Sequence, residues 1–188
     1  TDGTSFVDIS NPSNPVYVAN LPMTEGARIN AWRDIKVYKD HAYIVADGAG
    51  PHGMQVIDLT RLREFDGEPM LFDTDAHYDN VNSAHNVVIN EETGCFADPS
   101  TGRSGTGYSH DAQCVIYDGP DEEHKGKEIC VGANETAISI ADVTDKENPI
   151  ALSTGSYPDY GYVHQGWFTE DHKYFFQNDE LDELMGTV

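Results

Sequence analysis

The sequence predicts an all-β chain assembled from repeated four-stranded antiparallel units. Three observations carry that prediction. A short phrase, His or Arg followed by a polar residue or two and a β-rich run, occurs four times, as Trp32-Arg33-Asp34-Ile35, Ala84-His85-Asn86-Val87, Ser109-His110-Asp111-Ala112 and Val163-His164-Gln165-Gly166. A second phrase, Asp between apolar residues with a hydroxyl residue after it, runs out of phase with the first, as Val7-Asp8-Ile9-Ser10, Ile57-Asp58-Leu59-Thr60 and Ala141-Asp142-Val143-Thr144. Between these, β-branched and aromatic runs with period-2 alternation are separated by Gly, Pro, Asn and Asp clusters, the signature of short strands and turns. Two interleaved periods of about 50 residues mark an array of similar units, and four strands in that length make one blade of a β-propeller.

The elements follow in order. Residues 1–31 form a partial blade, with strands at 5–9 and 16–19 around the Asn-Pro-Ser-Asn-Pro turn at 11–15. Residues 32–80 form a blade, with strands at 34–38, 42–45 and 54–59 and a weak fourth strand at 69–72. Residues 81–107 form an incomplete blade: a first strand at 87–89, then the turn Asn90-Glu-Glu-Thr-Gly94. Residues 108–160 form the clearest blade, with strands at 113–117, 128–131, 137–143 and 150–154. Residues 161–188 open a further partial blade, with strands at 165–169 and 174–177. The chain thus reads as a fragment of about four blade equivalents.

One spacing departs from the rest. Arg33 to His85 is 52 residues and His110 to His164 is 54, but His85 to His110 is only 25. The Asp phrase shows the same defect, 50 residues from Asp8 to Asp58 against 84 from Asp58 to Asp142. Repeat spacing therefore predicts that roughly 25–35 residues are missing near Gly94-Cys95. Residues 95–99 then read either as a stunted second strand or as the end of a fourth strand. The second reading is favoured, because every other complete unit keeps its third strand.

Composition narrows the function classes. With 33 acidic residues against 11 basic ones, the net charge is −22, and a nucleic-acid backbone would be repelled. The acidity suits a solubilising surface, Ca²⁺ or a basic partner. No apolar run approaches the roughly 20 residues of a membrane span. Of the three cysteines, Cys114 and Cys130 flank an acidic turn between two strand runs. A hairpin there brings the sulfurs together, and a disulfide predicts an oxidising compartment; two buried free thiols are the alternative. Cys95 is expected to be unpaired, its partner lying in the missing stretch.

Longer motifs carry a resemblance. Ser-His-Asp-Ala-Gln-Cys-Val-Ile-Tyr at 109–117, Asp-Val-Thr-Asp-Lys-Glu-Asn-Pro at 142–149, His-Gln-Gly-Trp-Phe at 164–168 and Asn-Asp-Glu-Leu-Asp-Glu at 178–183 resemble the choice-of-anchor B proteins, which carry LVIVD-type β-propeller repeats. Trp-Arg-Asp-Ile-Lys-Val-Tyr at 32–38 and Gly-Met-Gln-Val-Ile-Asp-Leu-Thr at 53–60 match as well. The resemblance implies an exported propeller held at the cell envelope or surface, extracellular or periplasmic. It implies no activity.

In a propeller the first strand of each blade lines the central channel. The His/Arg phrase opens that strand, so Arg33, His85, His110 and His164 are expected to ring one end of the channel, beside Asp34, Asn86, Asp111 and Gln165. Such a ring suits a polar or anionic ligand next to Arg33. His85, His110 and His164 also have the chemistry to hold a divalent metal ion. The plainer alternative is that each His bonds the backbone of the neighbouring blade and sets its register. Asp8, Asp58 and Asp142 need only cap the turn after strand three. The acidic clusters Asp121-Glu-Glu123 and Asp179-Glu-Leu-Asp-Glu183 read as solvated loops without EF-hand spacing. Asn134-Glu-Thr136 is a glycosylation sequon of little weight.

No nucleophile elbow, zincin motif or phosphate loop occurs. The contiguous Ser109-His110-Asp111 is not a triad, because neighbours on a strand point to opposite faces. Two function classes remain. The first is a binding or scaffold module presenting its faces to a protein, a glycan or a larger envelope assembly. The second is a metal- or anion-dependent enzyme or ligand site on the axial ring. The first is preferred.

Overall fold

The computed structural model describes residues 2–97 and 108–181. The described residues form an all-β structure of short antiparallel sheets with one six-residue 3-10 helix. The chain divides into two compact units, Thr1–Val87 and Val88–Val188.

In the first unit, β1 (Gly3–Asp8) and β2 (Val16–Pro22) form a hairpin across the 11–15 turn. The strands β3 (Arg33–Tyr38), β4 (His41–Ala46) and β5 (Met54–Asp58) form an antiparallel meander. The β3–β4 turn is the pair Lys39-Asp40, with φ of 46° and 60°. Two consecutive left-handed residues make the turn whose twist matches its flanking strands. Asp58 then caps a 3-10 helix over Leu59–Glu64.

That helix displaces the expected fourth strand. Residues 69–72 do not pair with β5. Instead β6 (Met70–Leu71) runs parallel to β2, with Ala19 opposite Met70. The fourth strand of the meander is β7 (Ala76–Tyr78), antiparallel to β5. Asp75 fixes this choice: it accepts from Arg61 Nη1 at 2.9 Å and from the Asp58 N–H at 2.7 Å. The chain is pinned beside β5 only after Asp75, so 76–78 takes the place expected of 69–72.

On β2, Ala19 and Leu21 alternate inward and a register shift opposite Phe6 and Val7 adds Val18 to the same core, while Ile44 of β4 and Ile57 of β5 are buried as well. They bury against one another with Phe72, so the β1-β2-β6 sheet and the β3-β4-β5-β7 sheet share one core. Burying residues of this size contributes roughly 1.5–3 kcal/mol each. A smaller cluster of Val45, Ala84 and Val87 lies at the other end of β4.

In the second unit, β8 (Val88–Asn90) and β9 (Cys95–Ala97) pair antiparallel across the 91–94 turn, closed by Gly94 N–H on the Asn90 carbonyl at 2.7 Å. Residues 95–97 are therefore a second strand paired with the first, not the end of a fourth one. The local reason is the tight Asn90–Gly94 closure with Gly94 at φ 71°, which returns the chain directly along β8. The stretch 98–107 and the side chain of Cys95, expected to be unpaired, lie outside the described residues.

The strands β10 (Asp111–Ile116), β11 (Glu128–Ala133), β12 (Ile138–Asp142) and β13 (Ile150–Gly155) form one four-stranded antiparallel sheet in sequence order. The hairpin of β14 (Val163–Phe168) and β15 (Phe175–Asp179) follows. Cys114 and Cys130 sit directly opposite on β10 and β11, with Cα atoms 4.1 Å apart, and form a disulfide. Both half-cystines are buried against Val88 of β8. Glu128 is buried too, bonded by Lys146 Nζ at 2.6 Å and Thr93 Oγ1 at 3.1 Å. Gly166 is required where the hairpin closes: a Cβ there would lie 2.2 Å from the Phe175 ring and 2.5 Å from the Phe176 carbonyl. No helix among the described residues is long and apolar enough to cross a membrane.

Candidate functional site

The three Asp phrases have one geometry. Asp8 Oδ1 accepts the Ser10 N–H at 2.8 Å, Asp58 Oδ1 the Thr60 N–H at 2.8 Å and Asp142 Oδ1 the Thr144 N–H at 3.0 Å. In each the following hydroxyl residue is the first cause that holds the carboxyl below its ordinary value. These are turn caps, and the repeat reflects a repeated turn.

The His/Arg phrases divide between the units. Arg33, Asp34, His85 and Asn86 belong to the first. Asp34 receives Lys36 Nζ at 2.8 Å and, on the same oxygen, the Val87 N–H at 3.0 Å. His85 Nδ1–H donates to Asp47 Oδ2 at 3.2 Å, with its ring tilted beside Trp32. Asn86 is half-buried.

His110, Asp111, His164 and Gln165 belong to the second unit. His110 is buried at 6% exposure, and its Nδ1–H donates to the His164 carbonyl at 3.0 Å. Its ring lies 4.3 Å from the His164 ring and edge-on to Tyr162. His164 Nε2 stands 3.8 Å from Glu180 Oε2. Burial, aided by Glu135, pushes the Tyr162 hydroxyl up to about 12. Asp111 Oδ1 accepts the Ala112 N–H at 2.9 Å, and Gln165 is exposed. Within each unit, no three His, Cys, Asp or Glu side chains among the described residues are grouped to hold a metal ion.

Several of these bonds span one repeat. The Val87 N–H reaches Asp34 across 53 residues, His110 reaches the His164 carbonyl across 54 and the Phe168 N–H reaches Gln113 Oε1 across 55, at 2.7 Å. The His110 bond joins equivalent positions of two phrases, and the other two bonds are offset from equivalence by one residue. His110 and Asp34 thus hold register as well as carrying polar groups.

Two sequence signals have a different basis from the one expected. Asp179 is not part of a solvated loop. It ends β15 and accepts from the Tyr157 hydroxyl and from the N–H groups of Tyr162, Leu181 and Gly161. Its burial alone would raise the carboxyl, but those four donors hold it down to about 2. The sequon residue Asn134 is 1% exposed and bonded to Ser109 and Ser139, which keeps it from glycosylation in the folded state.

One concave site among the described residues contains none of the phrase residues. In the second unit, a cavity of about 380 Å³ opens between the β10–β13 sheet and the β14–β15 hairpin. Ile129, Val131, Ile138 and Ile140 form its apolar floor, because alternation on β11 and β12 turns them to one face. Phe168 and Phe175 form the facing wall, edge to face at 5.1 Å. Tyr117 and His172 stack at 6.0 Å on the rim, where His172 Nδ1 accepts the Asp118 N–H at 3.0 Å. With Nδ1 as the acceptor, the ring N–H lies on Nε2. His124 adds a buried Nδ1 without a partner, and exposed Tyr174 flanks the opening. His124 and His172 sit in turns and repeat nowhere, so the sequence offered no signal for them.

Comparison of the chain with family models, with curated proteins and with solved structures finds no match.

Proposed function

We propose that the chain is part of an exported β-propeller of the choice-of-anchor B kind that works as a binding module. The observation that carries the binding role is the cavity between the β10–β13 sheet and the β14–β15 hairpin. Its volume falls within the range of small-molecule sites, and its lining combines apolar floor, ring faces and a few polar groups. A propeller reading is supported by bonds that link residues at or beside the first strands at close to the repeat spacing. A location outside the reducing cytosol is supported by the Cys114–Cys130 disulfide.

The cavity favours a ligand with an apolar face and a polar edge. A sugar ring has that shape: its C–H face lies on Tyr174 or Phe168, and its hydroxyls meet His124, Asp121 and Lys173. A glycan is therefore the preferred partner, with a protein loop as the other occupant of the same face. The test is a glycan array on the purified chain, followed by calorimetry on the best binder. Tyr174→Ala is expected to weaken binding about tenfold while the melting temperature holds. Absence of any glycan binding, or full affinity in Tyr174→Ala together with His124→Ala, overturns the assignment of this cavity.

A further inference from the structure

Among the described residues, Arg33 has no ion-pair partner, in a chain with 33 acidic residues. Its Nη1 and Nη2 are both buried and neither meets an acceptor. The nearby carboxylates are committed elsewhere, Asp34 to Lys36 and to two backbone N–H groups, Asp47 to His85, Ser83 and the Gly48 N–H. Guanidinium nitrogens left in this condition destabilise the fold.

His52 is in the same position. It is fully buried, at 0% exposure, and neither ring nitrogen has a partner among the described residues. Strand pairing sets the start of β3 beside the loop that carries His52. Arg33 opens β3 opposite Ala46, the last residue of β4, and the loop 47–53 that follows β4 carries His52. The Asp47 N–H on the Trp32 carbonyl, at 3.0 Å, ties that loop to the start of β3. The His52 backbone is fixed from the other side, where its carbonyl accepts from Thr24 Oγ1 at 2.9 Å and from His77 Nε2–H at 2.7 Å. Its ring lowers its proton affinity through burial first and then through the charge of Arg33.

We propose that Arg33 and His52 form a binding site for a small oxyanion, a carboxylate or inorganic sulfate or phosphate, inside the first unit. The two Nη groups supply the parallel donors that carboxylate and phosphate oxygens take in pairs. One N–H of neutral His52 supplies a third donor. The anion neutralises the buried charge and satisfies three groups that the protein leaves without acceptors. His77 and Thr24 are positioning residues, because they hold the His52 backbone and do not reach the anion. The ligand reaches the site by displacement of the 47–53 loop, so slow association is expected.

The experiment follows the His52 ring nitrogens by ¹H–¹⁵N NMR on the full chain. Acetate, sulfate and phosphate are each titrated against chloride at constant ionic strength, with thermal melting in parallel. For at least one anion, the His52 resonances should move saturably and the melting temperature should rise by about 3–5 °C at roughly ten times the Kd. The arm that responds distinguishes a carboxylate from an inorganic oxyanion. Arg33→Met should abolish both responses, and Arg33→Lys should keep only a weakened one. Unmoved His52 resonances with all three anions, or a full response in Arg33→Met, overturns the site. Should Arg33→Met fail to fold, the wild-type titration decides on the same criterion.

Discussion

His52 shows how one residue couples burial to pH. Burial, then Arg33, then His77 hold its imidazole down at about 4, against an ordinary value of 6.5. The folded state therefore binds its proton later than the unfolded chain does. Stability should be complete above about 6.5 and fall as pH drops toward 4, where the unfolded state alone is protonated. The loss reaches at most about 3 kcal/mol. Urea unfolding between pH 7 and 4, in chloride without oxyanions, measures it. His52→Gln should flatten that part of the profile, and an unchanged slope in the variant would assign the acid sensitivity to other groups. Asp179 has the opposite sign: its stabilising bonds are present above the ordinary carboxyl range and disappear only as pH falls through about 2.

Strand pairing decides the energetic value of the cysteines. Cys114 and Cys130 are directly opposite on β10 and β11 with a sequence separation of 16, and they lie in the core beside Val88. Closing a loop of that length constrains the unfolded chain by about 3 kcal/mol. Reduction should lower the denaturation midpoint accordingly, with an unchanged slope in denaturant. Cys114→Ala with Cys130→Ala should reproduce the reduced protein. A reduced midpoint equal to the oxidised one would show that the bridge adds nothing beyond the packing of its sulfurs. Among the elements, the four-stranded sheet at 111–155 was fully legible, because each strand is a β-rich run bounded by a turn cluster. The fourth strand of the preceding meander was not. Its position depends on Arg61 and Asp75, fourteen residues apart, and no local pattern announces that pair.

At the scale of the whole molecule, the repeat is held by side chains that reach one period along the chain. His110 is the clearest of them in the second unit, buried with its N–H on the His164 carbonyl and its ring on Tyr162. His110→Ala should cost about 2 kcal/mol, from one buried hydrogen bond and a lost ring contact. Hydrogen exchange should rise along β14 while β11 and β12 remain protected. Exchange rising evenly over the unit would instead place His110 in a general packing role.

Composition, the two interleaved phrases and turn chemistry determined by themselves that this chain is all-β, where most strands fall, that Asp8, Asp58 and Asp142 cap turns, and that Cys114 meets Cys130. All of these follow from interactions within a few residues or across one hairpin, where alternation and turn residues fix the partner. Tertiary structure alone decided the rest. It put 95–97 beside β8, drew Met70 to β2, buried Asn134, gathered four donors onto Asp179 and left Arg33 and His52 without acceptors. It also opened the cavity between the β10–β13 sheet and the β14–β15 hairpin and brought His124 and His172, turn residues that repeat nowhere, to the strand residues that line it. These outcomes depend on which distant groups share a buried volume, and a side chain's burial and partners are set there rather than by its neighbours in sequence.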